Sequence, residues 1–347
     1  MRLNDCIQYN AICIQSNKKD KIIMLNATGA PRISARTIEE ARLRIGAEFL
    51  DSRQMEHKEL SGAIGVPLVC KIESENIVGS FKGRGADSFV NALPTGVDAL
   101  ITASAGNFGL ALAYAGKQRG IAVTVYAAET ASPGKIERIQ SAGGAVKLIG
   151  RDFDEAKNHA RLAAEQMNVM YVEDGREPAI AAGAGTMAME ITRWARPIST
   201  MLVPLGNGAL LAGVGCWFRA HSRQTRIVGV CAEGAPAMAQ SWQTHTAVST
   251  PSVDTIADGI AVRVPVPEAL ADLEGVVDDI VLVSDDAIKL ALRLIYKHLG
   301  LIAEPSGAAG VAALISHSTL AQGVVCTPIT GGNATRDQLL AWIAQIQ

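Results

Sequence analysis

The stretch NIVGSFKGRGADSFV, residues 76–90, places one lysine, Lys82, between Ser80-Phe81 and Gly83-Arg84-Gly85. A primary amine hemmed in by glycines and an aromatic ring is poorly hydrated and well placed to attack or deprotonate a bound molecule. Its neutral form is the reactive one, and burial beside another cation would favour that form. Three further stretches have chemistry that could serve it. Ser104-Ala105-Gly106-Asn107-Phe108-Gly109 leads into the helical pattern LALAYAGKQRG. Gly206-Asn207-Gly208-Ala209-Leu210 follows the apolar run MLVPL and opens another helical pattern. Thr330-Gly331-Gly332-Asn333 ends the run GVVCTPIT.

Glycines at a strand-to-helix turn let backbone N–H groups close on an anion, and the helix N-terminus adds partial positive charge. Gly206 to Leu210 is therefore a candidate phosphate site, although the same residues would also make a plain tight turn. All four stretches lie at a predicted strand end or open a predicted helix. In open parallel sheets ligand sites gather there. A reactive amine, a nest of N–H groups, a phosphate cradle and a polar cap suit a phosphate-bearing aldehyde, pyridoxal 5'-phosphate on a lysine.

Other chemistries find less support. The six histidines are scattered and form no i, i+4 metal face, and no G-x-S-x-G elbow is present. GAGTMA from Gly183 fits G-x-G-x-x-A, but a polar loop separates it from the nearest strand, around Tyr171, whereas a dinucleotide fingerprint opens directly from a strand. Gly206-Asn207-Gly208 has the better context, with Glu233 as the nearest acidic partner for a ribose. An NAD-dependent dehydrogenase stays open as a reading of another class. The six cysteines form no C-x-x-C pair, which suits a reduced, cytoplasmic protein. With 32 basic and 34 acidic residues the net charge is −2, so no nucleic-acid partner is expected. No apolar run is long enough to span a bilayer and the N-terminus lacks a signal-peptide pattern, so no membrane partner is expected either.

The elements that must position these loops follow from periodicity. The chain has 347 residues, 48% hydrophobic and rich in glycine, which suits a large α/β protein. Residues 1–36 form an N-terminal extension without a clear period, compatible with a strand pair. Thr37 and Glu40 suggest a capping box, with an amphipathic helix running through Phe49. Residues 66–73 read as a strand, and a helix is predicted from Arg84 to Ala92. From residue 98 onward strands and helices alternate, which requires right-handed crossovers and parallel sheets. A helix is predicted over GTMAMEITRWA, residues 185–195. The segment from Ser241 to Pro267 has few periodic positions and reads as an irregular stretch near a site.

Taken together, SFKGRGA around Lys82, SAGN at Ser104, GNGAL at Gly206, EPSGA at Glu304 and TGGN at Thr330 occur in the order found in one family, and DTIADGIAV from Asp254 is similar as well. From residue 37 onward the chain resembles fold-type II pyridoxal-phosphate enzymes, in the serine/threonine dehydratase (threonine ammonia-lyase) branch. That resemblance implies two open twisted α/β domains, mainly parallel, with the cofactor between them. The expected division is a large cofactor-binding domain at 37–99 and 175–347, with a small domain at 100–174 inserted in it. It also implies roles. Lys82 would carry the cofactor as a Schiff base and move the Cα proton, with Phe81 beside it. Asn107 would meet the ring hydroxyl, Gly206, Asn207, Gly208, Ala209 and Leu210 the phosphate, and Thr330 the ring nitrogen. Ser104, Ala105, Gly106, Asn107 and Phe108 would hold the substrate carboxylate.

The implied reaction is β-elimination from a hydroxy amino acid such as threonine or serine, giving a 2-oxo acid and ammonia. The alternative within the class is a β-replacement or threonine-synthase-like reaction. Several positions depart from the family pattern. Phe108 stands where the dehydratases carry a histidine, and Ala105 where serine racemases carry a serine. GNGAL replaces four glycines, as in threonine synthases. Glu233 has Ala239 in place of a second acid six positions on, so no metal is expected. The chain ends soon after Asn333, with no room for a regulatory domain, and a homodimer is expected by resemblance.

Overall fold

The computed structural model describes residues 13–17, 21–25 and 31–344. Strands β1 (Cys13–Asn17) and β2 (Lys21–Leu25) pair antiparallel, the strand-pair option for the extension. The remainder of that extension up to residue 30 lies outside the described residues. Helix α1 (Ala35–Arg42) begins one turn earlier than expected. Ser34 is its N-cap, accepting from the Thr37 backbone N–H at 3.2 Å, while the Thr37 hydroxyl accepts from the Ser34 N–H at 2.9 Å. Thr37 is thus the inner partner of the capping box. The helix also stops short of Phe49, which sits in a separate 3-10 turn over Ala47–Phe49.

Strand β3 (Gln54–Glu56), helix α2 (Lys58–Ile64), strand β4 (Leu68–Ile72) and helix α3 (Lys82–Ala92) follow. Next come four parallel strands, β5 (Ala99–Ala103), β6 (Ala122–Ala127), β7 (Ala145–Leu148) and β8 (Met170–Val172). They alternate with helices α4 (Asn107–Gln118), α5 (Pro133–Ser141) and α6 (Phe153–Met167) and lie in the order β7-β6-β5-β8. Alternate residues of these strands serve opposite faces. Leu100, Val123 and Val125 join the core that contains Phe108 and Leu112 of α4, whereas Ile101, Ala103 and Tyr126 pack with Ala160 and Ala164 of α6.

Helix α7 (Pro178–Ile191) then leads back to a second sheet through β9 (Thr200–Pro204), α8 (Ala209–His221), β10 (Arg226–Ala232) and α9 (Ala237–Thr244). From Ser241 to Thr244 the segment expected to be irregular belongs to α9; beyond it only a 3-10 turn at Asp258–Ile260 precedes α10 (Pro267–Leu273). Strand β11 (Asp279–Val283), helices α11 (Asp285–Leu299) and α12 (Pro305–Ser316), strand β12 (Val325–Ile329) and helix α13 (Arg336–Ile343) complete the fold.

The second sheet has six strands in the order β11-β10-β9-β12-β4-β3, parallel except for the edge strand β3. Its central strands are apolar runs because both faces are covered. Val69, Met201, Val203 and Cys326 face the layer holding α7 and α8, while Leu68, Cys70, Leu202 and Val325 face α11 and α12. The pairing of β9 with β12 stops after Cys326. Thr327 there donates its hydroxyl to the Leu202 carbonyl at 2.9 Å, and Pro328 has no N–H to give. The C-terminal ends of β9 and β12 therefore part, and the loops after them enter a cleft.

Candidate active site

The cleft has a volume of about 620 Å³, within the range of small-molecule sites. It is lined by every residue expected to hold a phosphate-bearing aldehyde or its substrate: Phe81 and Lys82, Ser104 to Phe108, Gly206 to Leu210, and Thr330. The loops come together because each follows a parallel strand of one sheet or the other, or opens a helix. GAGTMA lies inside α7, so those glycines form no phosphate loop. Glu233 is exposed and does not line the cleft.

Lys82 takes the first position of α3, two residues earlier than predicted for the helix. Its loop is stitched to the end of β12: the Phe81 N–H donates to the Thr330 carbonyl at 2.9 Å, and Ser80 bridges Gly331. The amine lies 4.6 Å from the centre of the Phe81 ring. Among the described residues no cation stands beside the amine. Arg84 is fully buried on the far side of α3, clamped between Glu73 and Glu190, and the group that meets the Lys82 amine is the carboxylate of Asp174. Two positions on along a helix, a side chain faces away from the first.

Asp174 follows β8 and is buried. Its Oδ2 accepts from Lys82 Nζ and its Oδ1 is buried without a hydrogen-bond partner among the described residues. The next residue, Gly175, has φ +88°, and a Cβ there would stand 2.2 Å from the Asn207 carbonyl oxygen. The turn carrying Asp174 is thereby pressed against the Gly206–Gly208 loop.

Helices α3, α4, α8 and α12 open onto the cleft without a side-chain cap. At α4 and α8 the first N–H groups have no partner within the helix and can meet an anion, whereas at α3 the Gly83 and Arg84 N–H groups donate to the Ser80 and Phe81 carbonyls at 3.4 and 3.1 Å. At α8 the N-cap is Gly208, with φ +94°. A Cβ on Gly206 would stand 2.8 Å from the Gly259 carbonyl oxygen, so any side chain there would block the approach of the two backbones. Ser306, at the start of α12, also lines the cleft with a buried hydroxyl lacking a partner among the described residues.

On the opposite wall Asn107 is held at both ends. Its Nδ2 donates to Glu304 Oε1 at 2.5 Å, and its Oδ1 accepts from Asn333 Nδ2 at 2.8 Å. Burial, reinforced by the charge of Asp258, pushes the Glu304 carboxyl up to about 7, against the hydrogen bond from Asn107. Phe108 lines the cleft while its side chain belongs to the main core.

Sequence reasoning assigned no role to Asp174, Glu304, Ser306 or Asn333. Three of these lay within stretches already singled out, whereas Asp174 had no signal beyond a polar loop. The donor set fits the phosphorylated aldehyde expected from the sequence. It offers an amine, an uncapped glycine-led helix for a dianion, unpartnered hydroxyl groups and close-packed glycines that admit a flat ring.

The family model described as pyridoxal-phosphate dependent enzyme matches residues 53–331. An L-threonine ammonia-lyase of Geobacter sulfurreducens is 33% identical over 300 residues, which cover 85% of this chain and 74% of that one. Threonine dehydratase 2 of Solanum lycopersicum is 34% identical over 257 residues, covering 74% of this chain and 43% of that one. The chain therefore spans most of the bacterial lyase but less than half of the tomato enzyme. Among solved structures, a threonine deaminase from T.th. superposes with a TM-score of 0.83 at 28% identity, covering 87% of this chain and 99% of that one. Maize serine racemase gives a TM-score of 0.84 at 26% identity, covering 90% and 98%.

Proposed function

Because the chain belongs to the pyridoxal-phosphate dependent enzyme family, we propose that it eliminates the β-hydroxyl of a hydroxy amino acid such as threonine or serine, leaving a 2-oxo acid and ammonia. The observation that carries this reading is the meeting of Lys82 with Ser104–Phe108, Gly206–Leu210 and Thr330 in one cleft. Pyridoxal phosphate, when bound, supplies the electron sink that makes a Cα–H bond of an amino acid acidic. The residues do the rest. Gly206 to Leu210 hold the phosphate on the α8 N-terminus, Asn107 and Thr330 hold the ring, and Phe81 flanks Lys82. Thr330 offers a hydroxyl, which hydrogen-bonds without placing a full charge at the ring nitrogen.

Ser104 to Phe108 bind the substrate carboxylate at the uncapped start of α4, fixing the amino acid by its acid end. Lys82 would anchor the cofactor, and its free amine would take the Cα proton of the bound amino acid at Nζ. We further propose the division into 37–99 with 175–347 and the inserted 100–174, together with a cytoplasmic homodimer. The unpaired Cys70, Cys216, Cys231 and Cys326 are in keeping with a reducing compartment.

The test is to supply serine, threonine and 3-hydroxyaspartate in turn to the purified protein and assay 2-oxo acid and ammonia without a second nucleophile. Lys82→Ala is expected to lose the visible band of the bound cofactor, fixation of the cofactor by borohydride, and all turnover. A Lys82→Ala protein with an unchanged spectrum would refute the role of Lys82. Turnover that required a second nucleophile would favour the synthase instead.

A further inference from the structure

We propose that Asp174 is the acid that protonates the departing β-substituent, with Lys82 as the source of its proton; the inference rests on the elimination reading above. Two facts place it. Asp174 accepts from the one nitrogen that takes the Cα proton, so it lies one hydrogen bond from the reacting centre. Its other oxygen, Oδ1, is buried in the wall of the cleft without a partner among the described residues, which is costly for a carboxylate unless a ligand group satisfies it. Glu173, the neighbouring acid, is held by Lys157 and Arg161 and so is committed elsewhere. Gly175, packed on the Asn207 carbonyl, keeps the turn that carries Asp174 close against the Gly206–Gly208 loop.

The β-substituent is attached one bond beyond Cα, so a group hydrogen-bonded to Nζ lies within reach of it. The Cα–H bond breaks and an N–H bond forms at Nζ. That proton passes along the Nζ–H···Oδ2 hydrogen bond to the carboxylate. The resulting carboxyl gives a proton to the leaving oxygen as Cβ–O breaks, and the electron pair from Cα becomes the Cα=Cβ bond. Water departs and Asp174 is a carboxylate again. One proton is taken and one delivered, with no redox partner.

The arrangement also selects a substrate class. Hydroxyl groups are poor leaving groups and need such an acid. Phosphate esters carry their own charge and would be repelled by a carboxylate at this point.

Asp174→Asn keeps the size of the side chain and removes its acid function. On L-threonine and L-serine this variant should lose about 10²–10⁴-fold in kcat, the usual worth of one general acid. On β-chloro-L-alanine, whose chloride leaves without a proton, its kcat should stay close to that of the wild type. The apoprotein of the variant, titrated with pyridoxal phosphate, should bind it with wild-type affinity and develop the same visible band. O-phospho-L-serine should be a poor substrate of the wild type.

Equal losses on serine and chloroalanine would overturn the proposal, since Asp174 would then act by holding Lys82 in place. Failure of the variant to take up the cofactor would overturn it too, as would faster turnover of phosphoserine than of serine by the wild type. If the wild type eliminates from neither chloroalanine nor any hydroxy amino acid, the elimination reading itself falls, and that result is distinct from every outcome seen only in the variant.

Discussion

Arg84 offers a quantitative test of how the lysine helix is anchored. Its guanidinium is fully buried. It donates to Glu73 through Nε and Nη2 at 2.9 Å each, and to Glu190 through Nη1 at 2.7 Å and Nη2 at 2.9 Å. The hydroxyl groups of Thr186 and Ser52 complete its shell at 3.2 and 3.1 Å. Burial alone would raise the Glu190 carboxyl, but its hydrogen bonds and charge contacts with Arg84 and Lys71 outweigh burial and hold it below the usual range. Arg84→Met removes the charge and all six hydrogen bonds at similar volume. Glu190 keeps Lys71 at 2.5 Å, whereas Glu73 keeps only the Ser52 hydroxyl at 2.5 Å. Leaving a buried carboxylate without its cation costs about 3–5 kcal/mol. The assay is urea unfolding of wild type, Arg84→Met, Glu73→Gln and the double variant, followed by far-ultraviolet circular dichroism. With an unchanged slope, the shift in midpoint gives the difference in stability. The double variant should be more stable than Arg84→Met alone, because the stranded charge is gone. An Arg84→Met protein within about 1 kcal/mol of wild type would refute the reasoning, since even a typical point mutation costs that much.

Two further outcomes are expected. A Cβ on Gly213 would stand 2.1 Å from the Ala181 carbonyl oxygen and 2.7 Å from the Gly185 nitrogen, both backbone atoms of α7. Gly213→Ala should therefore destabilise by about 1–3 kcal/mol or more, while Gly134→Ala, which meets open space in α5, should be neutral or slightly stabilising; equal urea midpoints for the two would contradict this. Glu304 binds its proton more tightly in the folded state, at about 7 against 4.5, so its contribution to stability is complete below pH 4.5 and is lost as pH rises through about 7. Glu304→Gln should remove up to about 3 kcal/mol of that decline between pH 5 and 8, and unfolding midpoints that fall with pH as steeply as in the wild type would exclude it.

The parts of the fold that sequence reveals are those whose neighbours do not matter. LVCKI, TMLVP and VCTPI read as strands because a strand covered on both faces is mainly apolar, and buried exceptions such as Lys71 and Thr327 are hydrogen-bonded. The four loops of the site were legible because glycines beside a strand end restrict what the backbone can do there. Helix α7 was found two turns late, since PAIAAGAG has no polar face to give a helical period in a helix buried nearly all round. For α1 the Ser/Thr-x-x-Glu pattern pointed to Thr37 and Glu40, whereas the cap is Ser34, with the Thr37 hydroxyl closing the box in place of a Glu or Gln. Asp174 was invisible because its place depends on Gly175 meeting Asn207 and on Lys82 arriving from another sheet. Arg84, two residues after Lys82, is close in sequence but not in space, as the rotation of α3 turns it into the core.

The place of β12 in the sheet has a consequence for synthesis. This strand lies between β4 and β9 and leads into Thr330, whose carbonyl holds the lysine loop. Apart from Thr330 and Asn333 just after it, every residue lining the cleft precedes it in the chain. While residues 325–329 are still within the ribosome, β4 has no neighbour on the β9 side and the Phe81 N–H lacks the Thr330 carbonyl that holds the lysine loop. Domains assemble as their residues emerge, so a nascent chain exposes two unpaired strand edges and cannot complete the cleft until this strand docks. Cofactor capture then marks a chain whose translation has passed that point, and synthesis stalled earlier leaves a template for edge-to-edge aggregation.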